Sequence, residues 1–186
     1  MIGSNDQPAK RVLFVCSGNY YRSRLAETLF RHETASAGIG WDAFSRGLTV
    51  TGSLYGLAPE ARNFLESLGI PVPSQNPMPL LVDELVSADH VVLLNRTEHE
   101  PVIAREFHAV YHRLLEKNAV TFWNVFDLAS PKSLWGKESP PTQPAISATE
   151  HIRFAVKDLI RMLTTSLSTK EKHAEKGRRR PAARHA

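Results

Sequence analysis

Only one cysteine, Cys16, occurs among the 186 residues. That excludes an internal disulfide and any zinc site built from several thiolates. No run of 18 or more apolar residues is present, so no membrane-spanning helix is expected. The opening residues, MIGSNDQPAK, are polar and lack the apolar stretch of a secretory signal. A cytoplasmic location is the resulting expectation. There is also little net charge outside the C-terminal end. The whole chain carries +4, and residues 170–186 hold seven Lys or Arg against two Glu, a balance of +5. The other 169 residues therefore carry −1. The basic character belongs to the tail, so it gives no reason to expect nucleic acid as a partner.

What is present is an ordinary apolar fraction, 42%, enough for one core. Short apolar runs rich in β-formers predict strands at 11–15, 41–45, 90–94 and 119–123. Between them, apolar residues at helical spacing predict helices over 23–37, 59–68, 80–87 and 97–107, the last with a Thr97 cap. Another is expected over 145–167, where Ile152, Val156, Leu159, Ile160 and Leu163 form one stripe. Prolines make 71–79 an extended connection and 127–144 a long loop. Strands alternating with helices argue for an α/β fold with a parallel sheet and helices on both faces. Residues 1–9 and 169–186 have no apolar anchors and are expected to be disordered, which leaves one domain over 10–168.

The informative stretch is VLFVCSGNYYRSRLAE, Val12 to Glu27. Cys16 ends a strand, five residues follow, and Arg22 and Ser23 open a helix. An α/β protein binds phosphate at such a junction. A loop wrapped around an anion turns its backbone N–H groups inward, which here would come from Ser17, Gly18, Asn19, Tyr20 and Tyr21. Gly18 and Asn19 tolerate the left-handed backbone such a loop requires. The same N–H groups and the helix dipole stabilise a thiolate on Cys16. Arg22 offers a planar fork for two phosphate oxygens, which lysine cannot. Ser23 can donate a hydrogen bond to the Cys16 sulfur or cap the helix.

These residues resemble the signature of the low-molecular-weight protein tyrosine phosphatases, Cys-x-Gly-Asn-x-x-Arg-Ser followed by Ala-Glu, met here by Cys16, Gly18, Asn19, Arg22, Ser23, Ala26 and Glu27. Ser45-Arg46-Gly47 is similar to the family's Ser-Ala-Gly, whose serine supports the loop asparagine. Ala88-Asp89 precedes a strand as in the family, and Trp123 to Asp127 is similar to its Trp-x-x-x-Asp. The resemblance covers about residues 10 to 165. It implies a four-stranded parallel sheet flanked by helices, a phosphocysteine intermediate, and no metal or cofactor. The implied substrate is a phosphotyrosine protein or a small phosphate ester.

Protonating a leaving oxygen needs an acid. Asp127 follows a predicted strand, so it should share a sheet edge with Cys16, and it matches the family's acid; Glu138 is the alternative in the same loop. The sequence departs from the family at several places. Leu128 stands after the acid where proline is usual, Tyr21 replaces a frequent second cysteine, and Arg24 stands where proline is usual. Val72 to Pro77 replaces a His-Arg-rich segment. Tyr20, Tyr55 and Trp135 are candidates for a substrate rim. Two other readings stay open: an arsenate reductase coupled to a small thiol, and a phosphate-binding module without catalysis.

Overall fold

The structure, a computed structural model, describes residues 10–125 and 147–178, with side chains of the second stretch described to Thr165. Asp127, Trp135 and Glu138, together with residues 1–9 and 179–186, lie outside the described residues.

Strand β1 (Lys10–Cys16) is buried on both faces from Val12 onward. Val12, Phe14 and Cys16 enter one core cluster, while Leu13 and Val15 enter the other. A strand with no solvent face needs no polar alternation, which is why it reads as an unbroken apolar run. The chain continues through α1 (Arg22–Ser36), β2 (Trp41–Gly47), α2 (Pro59–Ser67) and α3 (Val82–Ser87). It ends with β3 (His90–Leu93), α4 (Arg96–Glu106), α5 (His108–Glu116), β4 (Val120–Phe122) and α6 (Ala148–Arg178). The strands form one parallel sheet in the order β2-β1-β3-β4. Helices α1, α2 and α6 cover one face through Leu25, Leu29, Phe30, Ala61, Leu65 and Val156. On the other face, α3, α4 and α5 contribute Leu85, Ile103, Tyr111 and Leu114. Each such large apolar side chain contributes roughly 1.5–3 kcal/mol by leaving water. The expected α/β architecture is the one observed.

Four details differ from the sequence reading. Helix α5 was not expected; Tyr111, Leu114 and Leu115 at spacings of three and four carry its signal, and Tyr111 and Leu114 are buried. Helix α3 starts at Val82, because Leu80 is used in a strand-like contact, its N–H bonded to the Gly47 carbonyl at 2.9 Å. Asn95, not Thr97, caps α4: its Oδ1 accepts from the Glu98 N–H at 3.1 Å and from Thr97 Oγ1 at 2.9 Å. Helix α6 runs on from the expected end at Leu167 to Arg178, through Lys, Glu and Ala residues of high helix propensity. No helix among the described residues is long and apolar enough to cross a membrane.

This topology fixes where a ligand can bind. After β1 the chain moves to β2 on one side, and later to β3 on the other. Loops leaving the carboxyl ends of β1 and β3 therefore diverge and open a crevice. Cys16 is the last residue of β1, and α4 begins just beyond β3.

Candidate active site

The loop between Cys16 and Arg22 is folded around one strained residue. Asn19 has φ of 50° and is the only left-handed residue of the loop. Gly18, equally tolerant of it, does not adopt that conformation. Asparagine tolerates this backbone, and its side chain pins it. Asn19 Oδ1 accepts from the Met78 N–H at 2.8 Å. Its Nδ2 donates to Ser45 Oγ at 2.9 Å and to Ser23 Oγ at 3.1 Å.

The direction of the remaining bonds follows. Ser45 gives its one hydrogen to Glu27 Oε2 at 2.6 Å, so it must accept from Asn19. Asn19 spends both amide hydrogens on Ser45 and Ser23, so the Ser23 hydrogen is directed to Cys16. Cys16 Sγ lies 3.0 Å from Ser23 Oγ, and toward a thiolate only the serine can donate. A chain of bonds thus runs from the Glu27 carboxylate to the sulfur. Glu27 is held above the usual carboxylate range by burial, an effect offset in part by its bond from Ser45 and by nearby arginines. Ser23 is not the helix cap: α1 begins at Arg22, with Tyr21 at the cap position and no side-chain cap bond.

The end of β2 runs beneath the loop. Leu48 N–H bonds to the Cys16 carbonyl at 3.0 Å, and Thr49 N–H to the Ser17 carbonyl at 2.8 Å. Gly47 lies so close that an added Cβ would stand 2.7 Å from Val50 Cγ2, 2.8 Å from Asn19 N and 2.9 Å from Gly18 C. Two of those neighbours are backbone of the loop itself. Gly47→Ala is therefore expected to cost about 1–3 kcal/mol of stability and to weaken phosphate binding. Urea denaturation and inhibition by orthophosphate measure the two effects; unchanged values in both would show that the loop has room to move.

Arg22 is buried, and among the described residues its guanidinium meets Glu98, Val125 and Ser17. Nη1 donates to Glu98 Oε2 at 2.8 Å and to the Val125 carbonyl at 3.0 Å, and Nη2 donates to Ser17 Oγ at 3.4 Å. Ser17 also meets His99 Nε2 at 3.2 Å. His99 Nδ1 accepts from the Asn95 N–H at 3.0 Å, so the ring proton sits on Nε2 and is donated to Ser17. Ser17 Oγ then accepts from both Arg22 and His99, and its own hydrogen is available for an anion. Burial, and secondarily the Arg22 charge, hold the His99 pKa down to about 3. The ring is neutral at physiological pH, so its 3.6 Å approach to Glu98 is not an ion pair.

That depression has a measurable sign. The unfolded imidazole titrates at about 6.5, and the folded one resists protonation until about pH 3. The stability it contributes is present above pH 6.5 and is lost as pH falls through that window, at about 1.4 kcal/mol per unit. Between pH 6.5 and 5 the protein should lose about 2 kcal/mol more than His99→Asn does. His90, also held low by burial, is common to both proteins and cancels. Equal slopes in urea titrations at the two pH values would contradict the assignment.

Arg24, which stands where proline was usual, is buried and ties three segments together. Its Nη1 donates to the carbonyls of Gly56 at 2.9 Å and Gln75 at 2.5 Å. The altered segment around Val72 to Pro77 is held by this arginine and by Asn76, whose Oδ1 accepts from the Gly56 N–H at 3.1 Å.

The other expected residues divide. Tyr21 points into the core, so it can serve an anion only through its backbone N–H. Tyr20 is half-buried against the same core, and its carbonyl accepts from the Ala58 N–H at 3.0 Å. Tyr55 is 72% exposed. Asp89 is remote, bonding the Arg11 N–H at the opposite end of β1. Among the described residues, no group of three or more His, Cys, Asp or Glu could hold a metal ion. Glu98 and His99 were not expected at the site; their signal was an Asn-x-x-Glu-His run directly after a strand.

The model of one family, described as low molecular weight phosphotyrosine protein phosphatase, matches residues 11–173. A low molecular weight protein tyrosine phosphatase from T. tengcongensis has a similar fold, with a TM-score of 0.59 at 22% identity, over 82% of this chain and 99% of that one. Vibrio vulnificus Wzb, solved in complex with benzylphosphonate, gives 0.59 at 14% identity, over 82% and 98%. An arsenate reductase of Shouchella clausii is 32% identical over 85 residues, which is 46% of this chain and 56% of that protein. The chain thus spans about half the length of that curated relative.

Proposed function

The chain belongs to the low molecular weight phosphotyrosine protein phosphatase family, and from that premise we propose that it hydrolyses phosphotyrosine in proteins through a phosphocysteine intermediate, in the cytoplasm. The observation that carries this reading is the Cys16 sulfur at the end of β1 with the Ser23 hydroxyl 3.0 Å away and its hydrogen directed there. A binding module has no use for a hydroxyl poised to stabilise a departing thiolate.

In the first step the Cys16 thiolate attacks phosphorus and the bond to the phenolic oxygen breaks. Asp127 gives that oxygen its proton. The fork of Arg22 and the loop N–H groups hold the three equatorial oxygens as charge shifts among them. In the second step water attacks phosphorus, Asp127 takes its proton, and the sulfur–phosphorus bond breaks. Ser23 donates to the leaving sulfur, and inorganic phosphate departs. Support for Asp127 comes from the chain path, since Val125, two residues earlier, already gives its carbonyl to Arg22.

Hydrolysis of phosphotyrosine peptide and of aryl phosphates, with reductant and chelator present, tests the proposal. Absence of turnover by the wild type would sink it. Asp127→Ala should lower kcat/KM, which reports the first step alone, by roughly 10²–10⁴ on phenyl phosphate, and by much less on nitrophenyl phosphate, whose leaving group needs no proton. An equal loss on both would move the acid elsewhere, with Glu138 next to test.

The likeness to an arsenate reductase favours a second reading, in which Cys16 attacks arsenate. A relay through further cysteines cannot operate in a chain with one. An external small thiol would have to supply both electrons, so arsenate-dependent oxidation of such a thiol is the discriminating assay.

A further inference from the structure

Nη1 of Arg22 has two hydrogens and two acceptors, Glu98 Oε2 at 2.8 Å and the Val125 carbonyl at 3.0 Å. That nitrogen is fully engaged within the protein. Its hydrogens are committed, so Nη1 does not take part in holding a phosphate. Nη2 reaches Ser17 inside the loop at 3.4 Å, so that nitrogen lies on the side of the cradle. The carboxylate that sets the arrangement comes from the first turn of α4. Asn95 caps that turn and bonds the Glu98 N–H, so the carboxylate is carried on a fixed backbone. The crevice between the ends of β1 and β3 brings it to Arg22 across 76 positions of sequence.

We infer that Glu98 is a positioning residue for the clamp: its carboxylate holds Nη1 and so fixes how Arg22 is turned toward the phosphoryl oxygens. The inference rests on the phosphatase reading and deepens it. Glu98 does not touch the substrate; it acts through Arg22. It also supplies the buried guanidinium with a counter-charge while no phosphate is bound.

The test compares E98Q with E98A. Both lose the charge, but only glutamine presents an oxygen where Nη1 donates. The difference between them therefore isolates the hydrogen bond from the charge. Glutamine should rescue kcat on an aryl phosphate to at least about tenfold above E98A, because small misplacements of a catalytic group cost up to about 10²-fold. A second readout needs no turnover. Alkylation of the sole cysteine by iodoacetate is slowed by orthophosphate in the cradle, and half-protection should need less phosphate in E98Q than in E98A. Melting temperatures show that both variants are folded. Equal kcat and equal protection in the two variants would overturn the inference. If the wild type turned over no aryl phosphate, the phosphatase reading would fail alone, and the protection assay would still decide the role of Glu98.

Discussion

Cys16→Ser is expected to reduce aryl phosphate turnover to the background rate, a loss of at least about 10⁴-fold. Serine is nearly the same size, so the packing at the end of β1 should survive. The hydroxyl does not ionise where a thiolate can, and it is a poor leaving group from phosphorus. The rest of the cradle is untouched, because Asn19, Ser45 and Glu27 hold one another independently of the sulfur. Orthophosphate should therefore still bind the variant, because Arg22 and the loop backbone are unchanged. Calorimetry with phosphate and an activity assay separate the two properties. Turnover within about tenfold of wild type would place the nucleophile elsewhere.

The second large effect belongs to Arg22. Arg22→Ala removes two contacts to the phosphoryl oxygens, each worth roughly 10²-fold in a preorganised site, so a loss of roughly 10⁴ in kcat is expected. Arg22→Lys restores the charge but not the fork, and should recover no more than about tenfold of that loss. The arginine is buried against Glu98, the Val125 carbonyl and Ser17, and an ammonium cannot meet all three and still offer an edge to phosphate. A lysine variant at near wild-type kcat would show that charge alone suffices. Loss of phosphate binding in the same variant, read by calorimetry, would tie the effect to the clamp.

The loop from Cys16 to Arg22 was legible because its requirements are local. A strand, a turn tolerant of left-handed backbone and a helix start follow one another in sequence, and each leaves a residue type behind. Asn19 shows the limit of that reading: it was recognised as permissive, but its partners Ser45, Met78 and Ser23 come from three segments. Ser45 was anticipated through the family resemblance, whereas the role of Glu27 in orienting the chain of hydrogen bonds was not. Glu98 and His99 were missed for a topological reason. The sequence does not state that β3 lies beside β1, and only that adjacency brings the first turn of α4 to Arg22. Helix α5 was missed because α4 ends at Glu106 and α5 starts at His108, so only Phe107 separates the two helices and no glycine or proline marks the break. Arg24 looked like a departure from a pattern until its carbonyl partners on Gly56 and Gln75 were seen.

The reaction proposed for this chain turns on the Cys16 sulfur taking the phosphoryl group. Acid quenching of the enzyme during steady turnover of an aryl phosphate, followed by peptide mass spectrometry, tests it most directly. One phosphoryl group is expected on the peptide containing Cys16, more abundant in Asp127→Ala with nitrophenyl phosphate as substrate, where water attack is slowed and leaving-group departure is not. Steady turnover with no phosphorylated enzyme at any quench time, or with the phosphoryl group on another residue, would contradict it.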